Sequence, residues 1–209
     1  MNIVMLGAPG VGKGTIAQML EKKLGIPHIS TGDILREIAS KKTKLGEKIK
    51  KYLNSGKLAP KRIVIRSLKE RINKKDCDNG FILDGFPRTK SQAKALGKIA
   101  DTNVVFDLHA SEKAIIQRLS GRRICMKCRA IYHIKNMPPK RKGFCDKCKV
   151  KLAHRADDKP KAIKKRLKVY KRKTEPLIKY YIKRKLLKRI NAKGNPQDIF
   201  KNCLKALGE

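Results

Sequence analysis

The sequence predicts an α/β fold: a five-stranded parallel sheet with helices on both faces, interrupted by two insertions. Short apolar runs of strand length alternate with stretches of helical spacing, which is the pattern of a parallel sheet. A glycine-rich turn joins the first such run to the first helical stretch. A later segment has little helical periodicity and holds four cysteines in two closely spaced pairs, which indicates a small piece folded around a metal ion.

Five apolar runs supply the predicted strands, and the clearer ones are each followed by a helical pattern. The first run leads directly into the glycine-rich turn, and residues 15–24 beyond it have the 3.6-residue spacing of a helix. The second and the last runs are the weakest. In chain order, the five runs are residues 2–6, 26–29, 81–84, 103–108 and 187–190.

Two segments interrupt this alternation. Residues 30–59 have the pattern of short amphipathic helices, with Thr31-Gly32-Asp33 as the expected cap at their start. Residues 122–158 hold the paired cysteines and too few apolar residues to fold without a metal ion. Helical periodicity returns at Lys159, continues to Tyr170 and resumes over residues 175–186. The predicted core is therefore residues 1–29, 60–121 and 159–209.

Length and composition fit one domain with insertions. The 209 residues, 40% of them hydrophobic, can bury one sizeable core, and no apolar run approaches the ~18 residues that cross a bilayer. The first strand begins just after Met1, without the basic leader of a secretory signal. We therefore expect a cytoplasmic protein that starts at Met1 and does not associate with a membrane.

The chain is strongly basic. Lys and Arg total 54 against 17 Asp and Glu, a formal net charge of +37, and residues 121–209 hold 30 of these bases and 6 of these acids. One interpretation is a lysine-rich composition on solvated helix faces. The other is nonspecific electrostatic attraction of polyanions such as nucleic acid. A substrate with several phosphates explains a handful of arginines but not dozens of lysines.

Four of the six cysteines predict a metal site. Cys125, Cys128, Cys145 and Cys148 form two C-x2-C pairs with sixteen residues between them, a strong signature of tetrathiolate zinc. Two disulfides are the alternative, which the expected intracellular location disfavours. A complete thiolate shell leaves no open position, so the ion would fold the segment and not take part in chemistry. Zinc and another thiophilic metal both fit this spacing.

The glycine-rich turn predicts a phosphate site. Residues 7–15 read GAPGVGKGT between the first strand and the first helix. The glycines let successive backbone N–H groups turn inward, the helix start adds positive potential, and Lys13 reaches the outer phosphates. The general pattern has Ser or Thr directly after this lysine, whereas here Gly14 precedes Thr15.

Motifs along most of the chain resemble those of one family. They are GAPGVGKGT, TGDILR from Thr31, GKL from Gly56, DGFPRT from Asp84, GRR from Gly121, IYH from Ile131, Pro138-Pro139 and RADD from Arg155. They resemble the nucleoside monophosphate kinases and, among these, adenylate kinases of the bacterial type with a long zinc-binding lid. The resemblance implies a P-loop fold in which residues 30–59 bind AMP and residues 122–158 form the lid.

The resemblance further implies an ATP:AMP phosphotransferase that uses Mg²⁺ to transfer the terminal phosphoryl group of ATP reversibly to AMP and so forms two ADP. It also implies that the protein is a monomer. The acceptor is already an anion, so no general base is required. The implied catalytic side chains are Lys13 and Arg122 on the donor, Arg36 and Arg88 on the acceptor phosphate, Arg155 and Arg166 over the transferring group, and Asp84, which would hold Mg²⁺ through water.

The same resemblance implies two nucleotide pockets. The implied ATP-binding residues are Gly10, Val11, Gly12, Lys13, Gly14, Thr15, Arg118 (against the adenine), Arg122, Ile131, Tyr132 and Gly194. The implied AMP-binding residues are Thr31, Arg36, Lys57, Leu58, Ala59, Gly85, Phe86, Pro87, Arg88, Gln92, Arg155 and Arg166. Gly121 is a plausible hinge of the lid, and His28 and His133 are expected to be structural.

Two alternatives stay open at this point. The protein could be a kinase with another base preference, such as a GTP donor or a UMP acceptor, because one glutamine amide is thin evidence for adenine. It could instead be a zinc-ribbon nucleic-acid binder, which would explain the charge of the C-terminal part. With five Tyr, five Phe and no Trp, the chain has few aromatic side chains for that task, and GAPGVGKGT and DGFPRT would be unexplained.

Overall fold

The computed structural model describes Met1–Glu209 and is built on a five-stranded parallel sheet with strand order β2-β3-β1-β4-β7. The strands of this sheet are β1 (Asn2–Gly7), β2 (His28–Ser30), β3 (Phe81–Asp84), β4 (Val104–His109) and β7 (Leu187–Asn191). The predicted fold class is thus confirmed, and every apolar run became a strand. The weak second strand begins two residues later than expected. Gly25 caps the preceding helix, and Pro27 has no N–H to donate, so it contributes to the sheet only a carbonyl that accepts from Ile82 N.

Helices cover both faces of the sheet, as parallel strands require. Alternate residues of β1 face opposite sides: Ile3 and Met5 join one apolar core, and Val4 and Leu6 join the other. No helix is both long and apolar enough to span a bilayer. The helices are α1 (Lys13–Leu24), α2 (Thr31–Ser40), α3 (Lys44–Asn54), α4 (Lys61–Ile72), α5 (Lys90–Leu96), α6 (Glu112–Ser120), α7 (Pro160–Val169), α8 (Pro176–Ile182) and α9 (Pro196–Leu207).

The segment of residues 30–59 forms α2 and α3, as its amphipathic pattern predicts. The expected cap is displaced by one residue: Ser30 is the N-cap of α2, and its Oγ accepts a hydrogen bond from Asp33 N at 3.2 Å. Thr31 is instead the first helical residue, and its Oγ1 donates to Asp84 O at 3.2 Å. Ile49 of α3 is fully buried in the larger core and anchors the pair of helices.

The cysteine segment has no α-helix. It contains the antiparallel strands β5 (Arg122–Ile124) and β6 (Ile131–His133) and ends in a 3₁₀ turn, Ala156–Asp158. Its apolar cluster is small, with Cys125, Tyr132 and Cys145 as the buried members. Side-chain packing alone is too limited to define this segment, which agrees with the predicted need for a metal ion.

A π-helical turn, Tyr170–Thr174, joins α7 to α8 where the sequence predicted a break in the helical pattern. The wider turn places Thr174 against the functional cavity described below. Its Oγ1 donates to the backbone carbonyl of Arg88 at 3.0 Å and so fixes the loop that follows β3. Turns of this kind occur often at functional sites.

Gly121, at the entry to the cysteine segment, has ordinary backbone geometry with φ −85°. A Cβ on this residue would overlap the imidazole ring of His133. That ring is held in place, because His133 Nδ1 accepts hydrogen bonds from Lys135 N at 3.1 Å and Asn136 N at 3.0 Å. The glycine is therefore required by close packing and not by unusual dihedral angles. His133 is structural, as expected.

We predict that Gly121→Ala destabilises the protein by about 1–3 kcal/mol, the usual cost of overpacking a closed site. Gly97 provides a matched control, because it also ends a helix with helical dihedrals but has no atom closer than 3.9 Å to the added Cβ. Gly97→Ala should be neutral or stabilise by ~0.4–1 kcal/mol. Urea unfolding of both variants measures the difference, and equal stabilities would refute the packing argument.

Candidate active site

A cavity lies at the carboxyl ends of the parallel strands, where α/β folds place their ligands. The glycine-rich loop after β1 and Asp84 at the end of β3 form its floor. Residues of α2 and of the cysteine segment form opposite walls, and α7 with the π turn closes a third side. The cavity therefore collects residues from all the segments that carry the sequence motifs.

The glycine-rich loop has the conformation of a phosphate cradle. Gly10 and Gly12 have φ angles of 85° and 116°, which side-chain-bearing residues rarely adopt, and a Cβ on Gly10 would overlap Leu119. The ammonium of Lys13 donates to the carbonyls of Gly7 and Ala8, both at 2.9 Å. Burial and the nearby arginines outweigh the attraction of Asp84, so the pKa of Lys13 falls to about 8.

Asp84 and His28 lie side by side at the floor of the cavity. Asp84 Oδ2 is 3.7 Å from His28 Nε2, and a Cβ on Gly14 would approach this oxygen to 3.3 Å. Burial alone would raise the pKa of Asp84, but His28 and the positive charge of Lys13 outweigh it and keep the carboxyl ionised. The unusual Gly14 thus lets the loop approach an anionic side chain. His28 was expected to be only structural, whereas it lines the cavity beside Asp84.

One buried carboxylate organises two arginines of the opposite wall. The side chain of Asp158 is 0% exposed and accepts two hydrogen bonds from Arg122, at 2.7 and 2.6 Å. Its Oδ1 also accepts from Arg166 Nη1 at 2.8 Å. Paired hydrogen bonds of this kind fix the plane of a guanidinium. Arg122 and Arg166 therefore face the cavity in defined orientations.

Asp33 forms a second anionic anchor, between the two insertions. Arg36 Nη2 lies 2.8 Å from Asp33 Oδ1, and Arg155 Nη2 lies 3.8 Å from the same oxygen. The second contact links the cysteine segment to α2 across the cavity. Burial and repulsion from Arg36 and Arg122 lower the pKa of Arg155 to about 9, so its guanidinium stays charged at neutral pH.

The wall after β3 is built around Arg88. Its Nε donates to Gly85 O at 2.7 Å, and its backbone N–H donates to Gln92 Oε1 at 2.7 Å. Gly85 has φ 83° and lies so close to Arg88 and Thr31 that a Cβ would come within 2.9 Å of both. Residues of the GKL motif face the same space, and the expected AMP-side residues that line the cavity are Thr31, Arg36, Lys57, Leu58, Ala59, Gly85, Pro87, Arg88, Gln92, Arg155 and Arg166.

Some expected site residues have side chains elsewhere. Val11 and Phe86 are fully buried in the cores beneath the loops. The side chain of Tyr132 points into the cysteine cluster, where its hydroxyl lies 3.5 Å from Cys145 Sγ. This side chain therefore does not face the nucleotide cavity. Arg118 lies behind the loop, and its guanidinium donates to Val11 O and Ala192 O at 2.8 Å and reaches Gly194 O at 3.5 Å.

The four paired cysteines form one compact cluster. Their sulfurs all lie within 4.8 Å of one another, and Cys128 Sγ and Cys145 Sγ are 3.6 Å apart. In each pair the second cysteine donates its N–H to the sulfur of the first at 3.4 Å, which favours a thiolate. This donor set fits a tetrahedral thiophilic ion such as Zn²⁺, and none of the cysteines is in a disulfide.

Comparison with known proteins agrees with this geometry. The family model described as Adenylate kinase matches residues 5–186. The chain belongs to the adenylate kinase family. The adenylate kinase of Caldicellulosiruptor bescii is 47% identical over 213 residues, which cover 100% of this chain and 99% of that protein. Those of Caldicellulosiruptor saccharolyticus and Methanothrix thermoacetophila are 49% and 48% identical over 215 and 214 residues, with the same coverage.

Family membership accounts for the cavity as a whole, but some residues that build the cavity were not predicted from the sequence. From the sequence, Asp33 is expected only as part of a helix cap and Asp158 has no expected role, although both anchor arginines. Only Asp33 carried a local signal, because it stands three residues before Arg36, whereas the arginines that Asp158 anchors lie eight and thirty-six residues away. Arg129 also lines the cavity and was missed, since nothing in a C-x2-C-R sequence indicates where that arginine points.

We predict that ATP binding at pH 8.5 takes up a substantial fraction of a proton. The lowered pKa leaves Lys13 largely neutral above pH 8, and the phosphates restore its charge, so ATP affinity should fall as the pH rises through this range. Calorimetry in buffers of different ionisation enthalpy measures the uptake. Lys13→Met should reduce it, and Lys22→Met, on the exposed side of α1, should not. Equal uptake in both variants would contradict the assignment.

We also predict that the metal ion holds the cysteine segment together. Chelation should accelerate amide hydrogen exchange over residues 122–158 and leave β1 and β4 protected, because the apolar cluster of this segment is small and built on the cysteines themselves. Cys128→Ser should lower the metal content from about one ion per chain. Cys203→Ala, at a buried cysteine of α9, should not. Metal loss with unchanged exchange would refute the structural role.

Proposed function

We propose that the protein transfers the terminal phosphoryl group of ATP to AMP and forms two ADP, the reaction that the name of its family denotes. The observation that carries the proposal is the convergence of Lys13, Arg36, Arg88, Arg122 and Arg166 on one cavity with an amide-lined loop at its floor. Two nucleotides together bring many negative charges, and phosphoryl transfer depends mainly on positioning and neutralising them.

The cavity offers separate places for the two nucleotides. The loop of residues 7–15 and Arg122 bind the donor triphosphate, while Arg36 and Arg88 hold the acceptor phosphate. Arg155 and Arg166 close over the transferring phosphoryl group and stabilise its charge. Planar guanidinium groups suit this task because they form paired hydrogen bonds to phosphate oxygens.

Two ions complete the proposed enzyme. Asp84 is ionised, faces the loop beside Gly14 and would hold Mg²⁺ through water, and the ion would neutralise the donor phosphates. The cysteines of the lid would hold a structural Zn²⁺, which four thiolates favour over harder cations.

Domain closure excludes water, the competing nucleophile. We propose that residues 30–59 and 122–158 move as separate units over a core of residues 1–29, 60–121 and 159–209, as lids of this kind do; adenylate kinase is one of the standard examples. The contact between Arg155 and Asp33 supports this proposal, because it shows that the two insertions can meet above the cavity.

AMP is the proposed acceptor base. The buried amide of Gln92 lines the acceptor side and can pair with an adenine edge, although its Oε1 also accepts from Arg88 N. GMP and UMP are the alternatives, and coupled assays across nucleotides decide among them. We further propose a monomeric protein in the cytoplasm, where reducing conditions keep the cysteines available for metal.

The decisive test is ADP formation from ATP and AMP with Mg²⁺. Lys13→Ala should lower the rate ~10²–10³-fold or more, because it removes a cation aimed at the transferring charge. Lys22→Ala, on the exposed face of the same helix, should keep the wild-type rate. Single-turnover assays should show a comparable loss for Arg155→Ala. A wild-type protein that forms no ADP, or a Lys13→Ala variant with full activity, would overturn the proposed function.

A further inference from the structure

One cationic side chain of the cavity comes from the metal-binding turn itself. Arg129 directly follows Cys128, and its side chain lines the cavity together with those of Arg122 and Arg155. Its Nη1 is enclosed by protein atoms, yet none of them accepts a hydrogen bond from it. Enclosing a charged N–H group without an acceptor costs free energy, so the position calls for an anionic ligand.

The backbone of Arg129 adds a second cost. Its φ of 61° lies in the left-handed region, which costs an L residue about 1 kcal/mol and which glycine would occupy freely. The backbone N–H donates to Cys125 O at 3.0 Å and so closes the cysteine turn. This backbone cost belongs to the cysteine turn, so the unpaired side chain is the feature that points to a ligand.

The second cysteine turn shows that the turn itself does not need an arginine. Lys149 occupies the equivalent position, with φ 58° and an N–H that donates to Cys145 O at 2.9 Å. Its side chain is exposed to solvent and does not line the cavity. The two turns share their backbone geometry, but the side chain of the residue after the second cysteine enters the cavity only in the first turn.

We propose that Arg129 is a further nucleotide-binding residue, whose guanidinium donates to a phosphate oxygen of the donor nucleotide. Ile131, two residues along, places this part of the lid above the loop, because its Cδ1 lies 3.4 Å from the position of a Cβ on Gly14. The proposal rests on the proposed function for the identity of the ligand. The cysteine turn thus has a second role, to aim a guanidinium at the donor phosphates.

Matched glycine variants test this proposal. Arg129→Gly and Lys149→Gly remove the same left-handed strain and one positive charge each, but only the first removes a cavity side chain. We expect Arg129→Gly to weaken ATP binding about 10–100-fold, the loss of one charge-assisted hydrogen bond, and to change AMP binding less than twofold. Lys149→Gly should bind both nucleotides as the wild type does, and Arg129→Lys should restore part of the ATP affinity.

Calorimetric titration with ATP measures binding without turnover, so the outcome for Arg129 does not depend on the assay of ADP formation. Equal ATP affinity in Arg129→Gly and Lys149→Gly would overturn the proposal, while ADP formation by the wild type would leave the proposed function standing. Metal content is measured in parallel. If Arg129→Gly lost metal, Arg129→Gln with full metal content would have to show the same loss of ATP affinity, and normal affinity in that variant would overturn the proposal.

Discussion

Mutual repulsion among cations is the constraint on which the rest of this site depends. Burial and neighbouring positive charges lower the pKa values of Lys13, Arg88, Arg155 and Arg166 in the free protein. Such a cluster folds only if anions are placed among its members. The carboxylates do this from three different segments, so the fold brings distant motifs together in order to balance charge. The anchoring acids are Asp33, Asp84, Asp157 and Asp158.

Much of the fold could be read from the sequence, because its signals are local. Continuous apolar runs predicted β3 and β4 nearly to the residue, since strands buried on both faces need apolar side chains throughout. The α2 cap was displaced, because the choice between Ser30 and Thr31 depends on the tertiary contact of Thr31 with Asp84 O. The start of β2 was displaced by the helix cap at Gly25 and by Pro27. At Tyr170 the periodicity indicated a break in the helical pattern, but not that the chain continues there as a π turn.

The site was predicted as a set of residue types, but their partners required the structure. Lys13 and the arginines belong to motifs with a clear chemical purpose. The bond between Arg122 and Asp158 spans thirty-six residues, and the contact between Arg155 and Asp33 joins two insertions, so neither could be inferred from spacing. Tyr132 illustrates the limit: its motif suggested a nucleotide contact, whereas the aromatic ring packs on the cysteines.

The pairing of cavity arginines with fixed carboxylates determines which anions can enter. Asp33 and Asp158 already occupy the guanidinium forks of Arg36, Arg122 and Arg166, so an anion that binds there must displace these contacts or share the forks with the carboxylates. A single small anion such as chloride or sulfate meets only one fork at a time. A chain of linked phosphates meets several forks at once and gains from all of them. The carboxylates therefore act as a threshold that favours polyphosphates over the simple salts present at much higher concentration.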